Sequence, residues 1–134
     1  MIPLEQKYLH IQGKQHGDCW RTCIASILEC DINVFSRWEL KQTWQEYYPI
    51  VLKELEKIGY KWGQYTVENT DQDCLEKYSI DGYVIAIGRS PRSTKENRIN
   101  HAVVWDNGIV HDPHPDNTGI LDIITFEVLM KIKI

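Results

Sequence analysis

Several things are scarce in this chain, and each scarcity excludes a class of protein. No long apolar run occurs. The longest, Tyr83 to Ile87, is far too short to cross a bilayer, so no membrane partner is expected. The opening MIPLEQKYLHIQ has neither a basic n-region nor an apolar h-region, and a secretory signal is not expected. The four cysteines contain no CxxC pair, which removes the usual zinc-ribbon and dithiol patterns. Without a signal, four cysteines predict free thiols in a reducing, cytoplasmic compartment rather than a disulfide framework. Positive charge is not in excess either. Fifteen Lys and Arg stand against nineteen Asp and Glu, a balance that argues against a nucleic-acid partner. The one basic stretch, Arg89 to Arg98, is interleaved with Pro91, Ser93, Thr94 and Glu96 and reads as a solvated loop. Repeats, low-complexity segments and linkers are absent. At 134 residues, one domain over 1–134 with one core is expected.

What the chain does have is aromatic surface to bury: five Trp, seven Tyr and two Phe predict an aromatic-rich core. The alternation in residues 6–12 suggests a first strand ending near Gly13. Asp18 has the chemistry of an N-cap for a helix whose apolar positions are Trp20, Cys23, Ile24, Ile27 and Leu28, the one-faced spacing of an amphipathic helix. Cys30 and Asp31 close it, and Asp31 is placed to cap a short turn leading to Phe35 and Trp38. Thr43 and Glu46 have capping-box spacing for a second helix that runs towards Ile58, with Pro49 kinking or restarting it and Gly59 ending it. A strand over 60–67 interrupted at Gly63, a loop and short helix over 69–78, and a buried strand over 83–88 follow. His101 to Asp112 reads as a hairpin turning on Asn107-Gly108, and 123–134 as a last strand. A helical first half followed by an antiparallel sheet is an α+β arrangement.

Cys19 is the cysteine whose setting suits chemistry. It stands at the first turn of the first helix, where free N–H groups and the helix dipole favour a thiolate. Cys23 falls in the apolar stripe and reads as core, and Cys30 and Cys74 have no comparable setting. A nucleophilic thiol also needs an imidazole held in one tautomer by an acceptor. If Asn107 and Gly108 form a two-residue turn, Asp106 pairs with Ile109 and Val103 lies opposite Asp112. His101 then sits one diagonal step from Asp112 on the same face, about 7–8 Å between backbones. A three-residue turn would instead put Asp112 on the other face. Acyl chemistry further asks for donors aimed at a developing oxyanion. The Cys19 N–H is one, and Gln12 and Gln15 are both available as the second. Trp20, Asp18 and Gln15 are expected at the substrate cleft. His111 and His114 have opposite strand parity and prolines restrict the loop, so no metal and no cofactor is expected. His10 and His16 read as surface residues.

The stretch from Gln12 through Cys19 to Leu28, followed by His101-Ala-Val-Val and then His111-Asp112-Pro113, resembles the papain-like cysteine peptidase superfamily. Within it the chain is most similar to the small bacterial and phage branch that includes the double-glycine leader peptidases. The resemblance covers residues 10–30 and 99–115 and leaves the middle unmatched. It implies a catalytic helix packed on an antiparallel sheet, with Cys19 as nucleophile, His101 as base and acid, Asp112 as orienter and Gln12 as oxyanion donor. Gln12 stands further before Cys19 than is usual in the family, and Gln15 competes with it. The implied activity is that of a cysteine-nucleophile hydrolase acting on a peptide or protein substrate through an acyl-enzyme. Acyl transfer of the transglutaminase kind uses the same triad. A non-catalytic binding module on the same scaffold is the alternative from another class. The sequence is silent on oligomeric state.

Overall fold

A computed structural model describes residues 1–69, 73, 75, 77 and 79–132. Helix α1 is Cys19–Leu28 and α2 is Trp44–Lys57; five strands follow, β1 Tyr60–Thr66, β2 Val84–Arg89, β3 Asn100–Trp105, β4 Ile109–His111 and β5 Ile123–Lys131. The protein is α+β: among the described residues, α1 and α2 pack with a five-stranded antiparallel sheet in the order β1-β5-β2-β3-β4. Among the described residues no helix is long and apolar enough to cross a membrane.

Local chemistry explains most of these elements. The apolar stripe of α1 is buried at Trp20, Cys23, Ile24 and Ile27, as its spacing requires. Asp31 caps the short 3-10 turn Ile32–Val34 by accepting from the Asn33 amide at 2.8 Å. The capping box of α2 is complete: the Glu46 N–H donates to Thr43 Oγ1 and the Thr43 N–H to Glu46 Oε1. Pro49 sits inside α2 without ending it, although as the sixth helical residue it cannot donate to the carbonyl of Gln45. Under the two helices, Ile85, Ala102, Val104 and Leu129 from the sheet join Ile24, Val51 and Leu55 in one core. A second, smaller cluster of Val84, Ala86, Val103, Phe126 and Val128 covers the alternate strand positions.

Two expectations are corrected. Residues 6–12 form no strand. Their alternation is short and rich in Gln, Lys and His, so no buried face exists to dock on a sheet. The segment instead lies as a strap along α1, with the Ile2 N–H donating to Ser26 O, the Gln6 N–H to Pro113 O and the Asp18 N–H to Tyr8 O. It then turns on Gly13 (φ +74°) between bridged Ile11 and Gln15. Gly63 does not interrupt β1; it pairs with Val128 in an unbroken register, and its missing side chain leaves room for Val128 and Met130. The last strand ends at Lys131, within the expected span. The loop and short helix expected over 69–78 lie mostly outside the described residues, as does Cys74.

The hairpin differs from expectation in an instructive way. Trp105, not Asp106, pairs with Ile109, so the turn Asp106–Gly108 has three residues. By itself this would turn Asp112 away from His101. The register then shifts by one, Val104 pairing with His111, because Val110 is an extra residue on β4. The bulge cancels the longer turn, and Asp112 returns to the side of His101.

Candidate active site

A cavity of about 510 Å³ opens between the first turn of α1, the start of β3 and the inner positions of β1 and β5. Cys19, His101, Gln12, Trp20 and Asp18 all line it, together with Trp38, Trp44, Gln64 and Glu127. Residues far apart in sequence thus meet at one place.

His101 is 3% exposed and sits near the start of β3, opposite Gly88. Gly88 is required there: a Cβ would overlap the backbone carbonyl of Asp122, where β5 begins beside β2. The His101 Nε2–H donates to Asp112 Oδ1 at 2.6 Å. Asp112 is itself fixed from behind, accepting the His114 N–H on Oδ1 at 2.9 Å and the Gly119 N–H on Oδ2 at 2.8 Å. With Nε2 taken by Asp112, Nδ1 is the remaining ring nitrogen, and Cys19 lines the same cavity wall close enough to favour the protonated ring. Burial alone would make the His101 imidazolium easier to deprotonate. The Asp112 and Cys19 hydrogen bonds and charges outweigh it and hold the pKa up at about 9. Burial likewise pushes the Asp112 carboxyl up, but His101 and the two backbone amides bring it down to about 2. The pair is therefore a carboxylate facing an imidazolium at neutral pH.

Asp18 stands at the N-cap position, yet its side chain makes no capping bond. Oδ1 accepts the Tyr8 N–H at 2.9 Å, and Oδ2 lies 3.5 Å from the Arg21 guanidinium, both side chains being buried. Burial pushes this carboxyl above its ordinary value, against the Tyr8 amide and Arg21. The strap thus takes the carboxylate that a helix would normally use on itself. In consequence the first amides of α1, the Cys19 N–H among them, are left without a side-chain cap at the edge of the cavity.

The two glutamines separate clearly. Gln15 Nε2 is spent on Leu9 O at 2.6 Å, and Gln15 does not line the cavity, contrary to its expected place at the cleft. Gln12 does, and its carbonyl oxygen lies 3.2 Å from His10 Nε2, so that contact does not use its amide N–H groups. Trp20 is 5% exposed and donates its indole N–H to Glu127 Oε1. His10 is exposed, as expected, at the rim of the cavity, whereas His16 is half-buried there and stacked on Trp38 at 3.7 Å between ring centroids. His111, considered beside His114 as a metal ligand, instead donates Nε2–H to Leu4 O at 2.6 Å. Cys23 is fully buried, and burial pushes its thiol well above the ordinary range.

Glu127 is the residue that sequence reasoning passed over. It is an acid at a core-parity position of a mostly apolar strand, IITFEVLMK, and that misfit was the available signal. No protein-family model, curated protein or solved structure matches the chain.

Proposed function

We propose that this chain is a papain-like cysteine-nucleophile hydrolase, in which Cys19 attacks an amide or ester carbonyl of a peptide or protein substrate. The observation that carries the reading is that Cys19 and His101 line one cavity while the His101 Nε2 lies 2.6 Å from a carboxylate held by two backbone amides, leaving Nδ1 for the thiol. A buried structural histidine needs one satisfied partner; this one is fixed in orientation and tautomer beside a thiol at a cavity wall.

The chemistry follows from those positions. The Cys19 sulfur adds to the carbonyl carbon, and the negative charge that moves to oxygen is met by the uncapped Cys19 N–H and the Gln12 amide. The His101 Nδ1 proton passes to the leaving amine or alcohol as its bond to carbon breaks, giving a thioester. His101 then takes a proton from water, whose oxygen displaces Cys19 and releases the acid. Asp112 keeps the ring in place through both proton transfers.

Iodoacetamide tests the reading before any substrate is known. Cys19 should be carboxamidomethylated at pH 6 faster than Cys23, Cys30 and Cys74, as read by residue-resolved mass spectrometry, and His101→Ala should slow Cys19 at least about tenfold. Labelling of Cys19 at the same rate in both proteins would sink the proposal and leave a binding module on this scaffold as the better account.

A further inference from the structure

The cavity beside Cys19 has two unlike walls. One is aromatic, made by Trp38, Trp44 and Tyr47. The other is the sheet face under α1, where Gln64 of β1 pairs with Glu127 of β5 and Thr125 lies two positions along the same strand. Because Gln64, Glu127 and Thr125 share one parity, their side chains form a polar strip across a face that is otherwise apolar.

Glu127 is the deepest member, 1% exposed. It accepts the Trp20 indole N–H, and the Trp62 indole is a second neutral group beside it; burial pushes its carboxyl above the ordinary range against both, and among the described residues no Lys, Arg or His forms an ion pair with it. Burying a carboxyl without a cation is costly, and the neighbouring positions of β5 show that Val or Leu is accepted by the same strand. Tethering Trp20 needs only a neutral acceptor. An ionisable group set in the wall of an open cavity is matched by a cation that arrives from outside. Aromatic walls suit the same visitor, since they cover an alkyl stem and attract its charged head.

We propose that the cleft carries a subsite for a basic side chain of the substrate, lysine or arginine, with the Glu127 carboxylate receiving the ammonium or guanidinium and Gln64 and Thr125 beside it. This rests on the reading of Cys19 as nucleophile and gives that site a substrate class. Glu127 is a specificity residue in it.

The test uses two cysteine-directed reagents that differ in side chain, tosyl-lysyl chloromethyl ketone and tosyl-phenylalanyl chloromethyl ketone. Each Cys19 labelling rate is divided by the rate of the same reagent with glutathione. Wild type should favour the lysyl reagent about tenfold, and Glu127→Gln, which keeps an oxygen for the Trp20 indole, should bring the ratio close to one. A wild type that shows no lysyl preference overturns the subsite without any variant, and so does a preference that survives Glu127→Gln. If His101-dependent iodoacetamide labelling persists in either case, only the subsite has failed. Loss of that dependence in wild type removes the nucleophile and the subsite together.

Discussion

Asp112 meets His101 because Val110 is bulged out of the β3–β4 ladder. The turn between the strands is one residue too long for that meeting, and the bulge restores the parity. Removing Val110 while keeping the turn should therefore swing Asp112 to the other face. The His101 imidazole, followed by NMR through its ring protons, should then titrate well below its present value of about 9, as it should in Asp112→Ala. An unchanged midpoint in the Val110 deletion would mean that the bulge does not set the pair.

Gln12 and Gln15 make opposite predictions. With p-nitrophenyl acetate as a probe, Gln12→Ala should slow acylation of Cys19 by about 10²-fold, the usual cost of one lost oxyanion donor. Gln15→Ala should leave acylation within about threefold, since its amide is already bonded to Leu9 O. Neither change should affect iodoacetamide labelling, which develops no oxyanion. Equal losses for the two variants would move the oxyanion donor elsewhere.

The His101–Asp112 pair also fixes a pH window for stability. His101 is raised from 6.5 to about 9, so its contribution is complete below 6.5 and disappears as pH rises through 9. Asp112 is lowered from 3.8 to about 2, so its contribution is complete above 3.8 and disappears as pH falls through 2. Between pH 4 and 6.5 both are present. Urea unfolding should lose roughly 2–3 kcal/mol between pH 6 and 9.5, and Asp112→Ala should flatten most of that slope. A slope equal to that of the wild type in Asp112→Ala would assign the loss to other groups.

Gly88→Ala is expected to be severe. Its Cβ would overlap the Asp122 carbonyl, a backbone atom that has no rotamer by which to escape. A loss of about 3 kcal/mol or more in denaturant unfolding is expected, with His101 displaced because it is the cross-strand partner of Gly88. A variant of near wild-type stability would show that β2 and β5 can separate at that point.

Features governed by neighbours in sequence were the ones that could be read from it. The α1 stripe, the Asp31 cap, the Thr43–Glu46 box and the existence of the hairpin all depend on residues within a few positions of one another. Long-range partners decided the rest. Asp18 reads as a helix cap until Tyr8 and Arg21 claim its carboxylate. Residues 6–12 read as a strand until Pro113 takes the Gln6 amide and Asp18 the Tyr8 amide. The hairpin gave the right face for Asp112 through the wrong turn, since neither the third turn residue nor the Val110 bulge leaves a mark in the local pattern. Glu127 was visible as a misfit, but its meaning waited on Trp20, which lies more than a hundred positions earlier.

The strand order has a kinetic consequence. β5, the latest of the five in the chain, lies between β1 and β2. Neither of those strands can complete its pairing until β5 has been synthesised, and the pairing of β1 with β5 closes a long loop. Cys19 and His101 are also about eighty positions apart. Until β5 is in place, Cys19 would therefore lack a settled imidazole partner. Its reactivity would be switched on by the insertion of β5, so the onset of alkylation can serve as a clock for the final step of folding.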